Sequence, residues 1–170
     1  ITSRSVAEIV REHGGQPVRT RVGHSFIKQT MAETGAVFGG EHSGHFYFRD
    51  FWRADSGMLA ALHTLAALGG EPAGTSLSSM LTPYERYASS GEINTTVADQ
   101  ATTMAAVEDA FAGRSGVTLD NLDGLTVDHR DWWFNLRASN TEPLLRLNAE
   151  ASDRATMETV RDEVLGIVAG

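Results

Sequence analysis

Apolar and polar residues follow two different spacings along this chain, and short segments rich in glycine and polar residues separate them. Apolar positions three and four residues apart fall on one face of a helix, so they predict helices at 4–13, 25–34, 55–70, 77–81, 99–111 and from 153 onward. Alternation of every second residue and short apolar runs predict strands at 17–22, 36–38, 45–49, 92–97, 117–119, 125–127, 132–137 and 144–149. Ser25 and Asp55 are placed to cap the second and third helices.

Residues 69–83 interrupt this alternation because they are rich in glycine, proline, serine and threonine. Such a composition favours turns, apart from the short helical pattern around 77–81. We therefore place a domain boundary just after this segment, near 84–87, and predict two domains, residues 1–86 and residues 87–170. We find no internal repeat and no low-complexity tract in the sequence.

Charge differs between the two predicted domains. Residues 1–86 carry eight basic and eight acidic side chains, whereas residues 87–170 carry six basic and 14 acidic ones, a net charge of −8. An acidic half argues against non-specific binding of nucleic acid, which needs a basic surface. Any anion site in the second domain must therefore depend on locally oriented hydrogen-bond donors.

The chain lacks the usual sequence signals of a membrane or secreted protein. No apolar run approaches the ~20 residues that span a bilayer, and no apolar stretch follows a basic start as in a signal peptide. The sequence contains no cysteine, which excludes disulfides and thiolate metal sites. With 41% hydrophobic and 21% charged residues, it is typical of a globular protein, and we expect a cytoplasmic one with no membrane partner.

Two arginines flank a short polar loop between the last two predicted strands. Alternation along each strand places Arg137 and Arg146 on the face opposite the apolar residues, where two planar guanidinium groups could hold one phosphate. Ser139, Asn140 and Thr141 add polar side chains, and a tight turn can aim backbone N–H groups at an anion. The same composition also suits an ordinary hairpin turn with solvated arginines.

A second polar loop, residues 40–45, joins two short predicted strands. Glu41 and Ser43 offer the acceptor and donor that neighbouring sugar hydroxyls need, and the flanking glycines allow close approach of the backbone. His42 and His45 could instead bind a metal together with Glu41. A hydrolase nucleophile centred on Ser43 is excluded, because its template needs glycine two residues before and two residues after the serine. A glycine-rich connection with incidental polar residues remains the simplest alternative.

Three segments resemble motifs of the α-D-phosphohexomutase family, in the family's order and over roughly residues 1–168. Residues 137–143 match its phosphate-binding Arg-x-Ser-Asn-Thr-x-Pro loop, and residues 40–45 match its sugar-binding Gly-Glu-x-Ser-Gly-His loop. Residues 23–28 are similar to its Gly-His-Ser segment. His24, in that segment, could equally be a packed residue at a helix entry. His42 resembles the phosphomannomutase branch more than the phosphoglucosamine branch.

The resemblance implies two sets of substrate-binding residues. The residues implied for the sugar are Glu41, Ser43, His45, His24 and Lys28. Those implied for the phosphate are Arg137, Ser139, Asn140 and Thr141, to which strand geometry adds Arg146. The intact protein would interconvert hexose 1-phosphate and hexose 6-phosphate through a phosphoserine and a bisphosphorylated sugar, with Mg²⁺ as cofactor and mannose and glucose phosphates as substrates.

The resemblance also implies a fold and a fragment. Residues 1–86 would be most of domain 3, part of an α/β domain with a mixed sheet. Residues 87–170 would be domain 4, a small α+β domain whose antiparallel sheet is covered by helices. The family's phosphoserine segment and its Asp-Gly-Asp-x-Asp-Arg metal loop do not occur, so we expect no catalytic residue and no metal ligand here. The chain would then need the N-terminal domains of the same protein for activity. The alternative is a non-catalytic phosphosugar-binding module.

Overall fold

The computed structural model describes residues 1–139 and 141–170, and the chain divides into two compact units, Thr2–Glu85 and Arg86–Gly170. Each unit contains its own sheet, of three strands in the first and five in the second. Among the described residues, no helix is both long enough and apolar enough to cross a membrane.

The N-terminal unit combines helices with a small antiparallel sheet. Its helices are α1 (Arg4–Glu12), α2 (His24–Thr34), α3 (Gly57–Gly70) and α4 (Leu77–Leu81), followed by a 3-10 turn at Thr82–Tyr84. Its strands are β1 (Phe38–Gly40), β2 (Phe46–Phe48) and β3 (Ala54–Asp55), paired in that order. The five residues between β1 and β2 therefore form a hairpin loop, which is the loop that the sequence predicts to bind sugar.

Close packing of α2 on the hairpin fixes the base of this loop. Ile27 and Met31 on α2 are buried against Tyr47 of β2. Gly39 on β1 makes this possible, because a Cβ there would lie 3.1 Å from both Ile27 Cγ2 and Met31 Sδ. The helix thus packs directly on the strand that leads into the loop.

Three local predictions for the N-terminal unit are wrong. Residues 17–22 belong to neither sheet. A segment of high strand propensity forms a strand only where a neighbouring strand offers backbone hydrogen-bond partners. Helix α2 begins after Gly23 and not at a Ser25 cap. The cap of α3 is Ser56, whose hydroxyl accepts the N–H of Leu59, while Asp55 pairs with β2.

The C-terminal unit is a five-stranded antiparallel sheet with two helices. In chain order its elements are β4 (Ala88–Thr96), α5 (Gln100–Phe111), β5 (Thr118–Asp120), β6 (Leu125–Asp128), β7 (Trp132–Ala138), β8 (Leu144–Ala151) and α6 (Arg154–Ala169). The strand order is β4-β8-β7-β6-β5. The loop between β7 and β8, residues 139–143, is the predicted phosphate loop.

One face of this sheet and both helices form the core. The buried residues come from α5, from β6, β7 and β8, and from α6: Val107, Phe111, Leu125, Val127, Phe134, Leu136, Leu145, Leu147, Ala149, Val160, Val164 and Val168. Strict alternation along β7 and β8 puts the core residues of these strands on the helix-covered face. Arg137 and Arg146 therefore lie on the opposite face of the sheet. The predicted fold class, an α/β part followed by a helix-covered antiparallel sheet, is confirmed. The mixed sheet expected for the first part is not seen among the described residues, because β1, β2 and β3 pair antiparallel.

Candidate functional site

The sugar-loop candidate is a closed hairpin turn. The Glu41 N–H donates to the His45 carbonyl at 2.9 Å, and the Gly44 N–H donates to the Glu41 carbonyl at 3.0 Å. Gly44 has a φ of +83°, in the left-handed region that favours glycine. The turn leaves the Ser43 side chain exposed and holds Glu41 and His45 at its two ends.

Tyr47 links two of the predicted sugar-binding residues. Its ring is fully buried, and its hydroxyl donates to Glu41 Oε1 and lies 2.8 Å from His24 Nδ1. A carboxylate can only accept, so the single hydroxyl proton goes to Glu41 and the hydroxyl oxygen accepts from Nδ1–H of His24. This contact favours the Nδ1–H tautomer, in which the lone pair is on Nε2. Burial, and next the hydrogen bond to Glu41, raise the pKa of Tyr47, which keeps it a phenol.

His45 is paired with Asp55, whose sequence position predicts a helix cap and not a site residue. His45 Nδ1 lies 2.7 Å from Asp55 Oδ2, and the Phe46 N–H donates to Asp55 Oδ1 at 2.8 Å. The hydrogen bond to Asp55 raises the pKa of His45, and the same bond lowers the pKa of Asp55. With Nδ1 directed at the carboxylate, Nε2 of His45 is the ring nitrogen left for a ligand. The His24 and His45 ring centroids are 4.6 Å apart.

Lys28 and His42 are exposed, and both lie close in sequence to these groups. Lys28 is exposed on α2, four residues after His24 and so on the same side of the helix. His42 is exposed in the hairpin turn. An ammonium group, a hydroxyl, a carboxylate and imidazoles can together donate to and accept from several sugar hydroxyls.

The phosphate-loop candidate contains two arginines in direct register. Arg137 on β7 and Arg146 on β8 are Cα partners across the antiparallel ladder. Within the part of the chain that the structure describes, Nε of each is buried and has no hydrogen-bond partner. Arg146 also contacts Glu92, with Nη1 3.5 Å from Oε1. Two like charges directly opposite each other are unfavourable, and buried donors that lack an acceptor add to that cost.

Gln100 contacts both ends of this loop. Its side-chain amide lies within hydrogen-bond distance of three carbonyl oxygens, those of Ser139 at 3.2 Å, Glu142 at 3.0 Å and Leu144 at 2.8 Å. These contacts span about 40 residues of sequence, and nothing in the local pattern around Gln100 signals them. Asn140, predicted to bind phosphate, lies outside the described residues.

Two further contacts fix the loop and the strand before it. Thr141 N–H donates to Ser139 Oγ at 3.4 Å, which ties two predicted phosphate-binding residues together. Gly124, with a φ of +71°, packs against the backbone of β7: a Cβ there would lie 2.7 Å from the Leu136 carbonyl oxygen and 3.0 Å from Arg137 Cα. The position of Arg137 is thus set by close backbone packing as well as by the ladder.

The residues present do not suit the Mg²⁺ expected for the intact protein. Among the described residues, one group of three offers metal-ligand atoms within 4.8 Å of one another, and it consists of His24, His45 and Asp55. Mg²⁺ prefers oxygen ligands in octahedral geometry, and two imidazoles do not meet that preference. The sequence also suggested a metal site formed by His42, His45 and Glu41. These three residues do not bring their ligand atoms within 4.8 Å of one another in the described structure.

Comparison with family sequence models gives two matches that together cover most of the chain. Residues 1–87 match "Phosphoglucomutase/phosphomannomutase, alpha/beta/alpha domain III". Residues 92–167 match "Phosphoglucomutase/phosphomannomutase, C-terminal domain".

Individual relatives match almost the whole chain but only part of their own length. A phosphomannomutase of Methanocaldococcus jannaschii is 42% identical over 98% of this chain and 36% of the relative. A protein of Xanthomonas campestris pv. campestris named for phosphohexose mutases is 43% identical over 98% of this chain and 37% of the relative. A crystal structure of a phosphoglucomutase/phosphomannomutase family protein from Burkholderia thailandensis superposes with a TM-score of 0.80 at 30% identity, over 96% of this chain and 34% of that one. The chain thus spans just over a third of these relatives.

Proposed function

Because the chain belongs to the phosphoglucomutase/phosphomannomutase family, we propose that it is the substrate-recognising C-terminal part of a hexose-phosphate mutase. In this proposal residues 1–86 are most of domain 3 and bind the sugar, and residues 87–170 are domain 4 and bind phosphate. The intact cytoplasmic protein interconverts hexose 1-phosphate and hexose 6-phosphate through a phosphoserine and a bisphosphorylated hexose. Both the phosphoserine and the Mg²⁺ ligands belong to the N-terminal domains.

The observation that carries the proposal is the facing pair Arg137 and Arg146, with a buried and unpartnered Nε on each within the described residues. A phosphate between the two strands would supply acceptor oxygens to both guanidinium groups and offset their mutual repulsion. A net charge of −8 on residues 87–170 opposes long-range attraction of an anion, so short oriented hydrogen bonds must provide the affinity. The Ser139 and Thr141 hydroxyls add donors to the same phosphate.

Sugar recognition is proposed for the groups organised by Tyr47 and Asp55. Glu41 and Ser43 hydrogen-bond neighbouring hydroxyls, and Lys28 donates to another. Nε2 of His24 and of His45 each accept a hydrogen bond from a sugar hydroxyl. In this proposal Glu41 and Ser43 contact hydroxyls that glucose and mannose share, so the intact protein uses both phosphates.

The test is a mutase assay on the intact protein and on the 170-residue chain with mannose 1-phosphate and glucose 1-phosphate. The intact protein should convert both, and the chain alone should convert neither, because the phosphoryl carrier is not part of it. Glu41→Ala in the intact protein should reduce kcat/KM for both sugars alike, by the ~1–3 kcal/mol expected for an unmatched buried partner. Conversion by the isolated chain, or an intact protein that binds but does not convert the sugars, would overturn the proposal.

A further inference from the structure

Three side chains from three different elements converge beside the hairpin turn of the N-terminal unit. His24 comes from the first residue of α2, His45 from the end of the turn and Asp55 from β3. One ligand atom of each lies within 4.8 Å of the ligand atoms of the other two, and His45 Nδ1 and Asp55 Oδ2 are 2.7 Å apart. We propose that these three residues bind a divalent transition-metal ion of the zinc type.

The donor set selects the class of metal. Two imidazole nitrogens and one carboxylate oxygen are ligands of Zn²⁺ and its neighbours, whereas Mg²⁺ and Ca²⁺ prefer oxygen alone. Three protein ligands also leave one coordination position for water, as in catalytic zinc sites; structural zinc sites have four protein ligands. The ion would replace the proton that His45 and Asp55 share in the metal-free chain.

The movement needed to close the site is small. Tetrahedral Zn²⁺ with bonds of about 2.0–2.2 Å places its ligand atoms roughly 3.3–3.6 Å apart, so the widest pair here would approach by about 1.5 Å at most. His45 Nδ1 and Asp55 Oδ2, now 2.7 Å apart, would separate by about 0.6–0.9 Å. His24 is exposed, and the side chain of His45 is 42% exposed, so close packing encloses neither ring.

Supporting hydrogen bonds already orient two of the three ligands. The Phe46 N–H holds Oδ1 of Asp55 at 2.8 Å, which directs Oδ2 toward His45. Tyr47 gives its proton to Glu41 and accepts from His24 Nδ1–H, so Nε2 of His24 carries the lone pair that a metal needs. Such outer contacts fix the tautomer and orientation of metal-binding residues.

The test is titration of the 170-residue chain with Zn²⁺ by calorimetry and with Co²⁺ by visible absorption, which reports coordination geometry. We expect one ion per chain, tetrahedral Co²⁺ bands, and no displacement by excess Mg²⁺. His24→Ala and Asp55→Asn should each weaken binding at least about tenfold, since even loss of an outer-shell partner costs 10–100-fold. The asparagine variant keeps an acceptor for the Phe46 N–H, so it should preserve the local fold.

His13→Ala and His42→Ala are the matched controls, because both histidines are exposed and neither is in the group. Neither substitution should change the affinity. Failure of the wild-type chain to bind Zn²⁺, unchanged binding in His24→Ala and Asp55→Asn, or equal weakening in His42→Ala would each overturn the proposal. The titration involves no sugar phosphate, so its outcome is independent of the proposed mutase function.

Discussion

Arg137 and Arg146 face each other across β7 and β8, and each buries an Nε that has no partner among the described residues. Two cations in register repel each other, and although Arg146 Nη1 lies 3.5 Å from Glu92 Oε1, the Nε atoms of both arginines still lack an acceptor that an anion could supply. The apolar alternation of both strands forces the arginines onto the same face of the sheet. The pair therefore follows directly from the sequence once the register of the two strands is fixed.

Gln100→Ala should loosen the phosphate loop without disturbing the core. The substitution removes the amide that contacts three loop carbonyls, at 2.8–3.2 Å, while α5 keeps its Asp99 cap. We expect a loss of about 1–3 kcal/mol in unfolding free energy and faster amide hydrogen exchange confined to the loop. Thr103→Ala, on the same helix, is the control. Equal exchange rates in the wild type and Gln100→Ala would contradict this role.

Gly124→Ala should displace Arg137. Gly113 has a similar φ, +76° against +71° for Gly124, but a Cβ at Gly113 meets nothing within 4 Å. Gly113→Ala therefore measures the left-handed strain alone, about 1–2 kcal/mol. Gly124→Ala should cost roughly 1–3 kcal/mol more, because its methyl group meets the backbone of β7. Urea unfolding of both variants tests this. Equal losses of unfolding free energy would mean that β7 moves away from the added methyl group without cost.

Tyr47→Phe should weaken sugar recognition through Glu41 and His24. The ring keeps its packing, but the hydroxyl that joins the two side chains is lost, so stability should fall by about 0.5–1.5 kcal/mol. In the intact protein the KM for both hexose phosphates should rise. Tyr84→Phe is the control, because Tyr84 is 48% exposed. An unchanged KM in Tyr47→Phe would show that the hydroxyl has only a structural role.

Stability of the C-terminal unit should fall in acid partly through Asp153. Its carboxylate accepts the N–H of Thr156 at the start of α6, and this hydrogen bond lowers its pKa. The cap therefore stabilises the fold fully above the ordinary Asp pKa of about 3.9 and is lost as pH falls through the lower, folded-state value. In Asp153→Asn the urea concentration at half-unfolding should fall less steeply with decreasing pH than in the wild type. Asp109→Asn should show the same pH dependence as the wild type. Parallel curves for wild type and Asp153→Asn would contradict the assignment.

The C-terminal unit could be predicted well because one face of its sheet is apolar and covered by helices. Alternation along β7 and β8 identified the strands, the covered face and the two arginines on the opposite face, and Asp99 and Asp153 marked the helix starts. These signals are local, and the structure agrees with them to within a few residues.

The rest depends on contacts between distant residues. The hydroxyl of Tyr47 meets His24 across 23 positions, and Gln100 reaches Leu144 across 44. Asp55 looks like a helix cap from its sequence position, yet its pairing with β2 places it beside His45. Helix α3 has an apolar pattern that predicts a buried face, yet none of its residues is buried in this chain.

The most direct test of the central claim is a double-mutant cycle on the facing arginines. Wild type, Arg137→Lys, Arg146→Lys and the double variant of the intact protein would be titrated with hexose phosphate at matched ionic strength, with Arg154→Lys, whose side chain is 79% exposed, as control. Lysine keeps the charge but loses the planar fork, so each single variant should lose about 1.5–3 kcal/mol of binding, and the double variant less than the sum. Equal affinities for wild type and Arg137→Lys, or fully additive losses, would contradict a single phosphate held by both arginines.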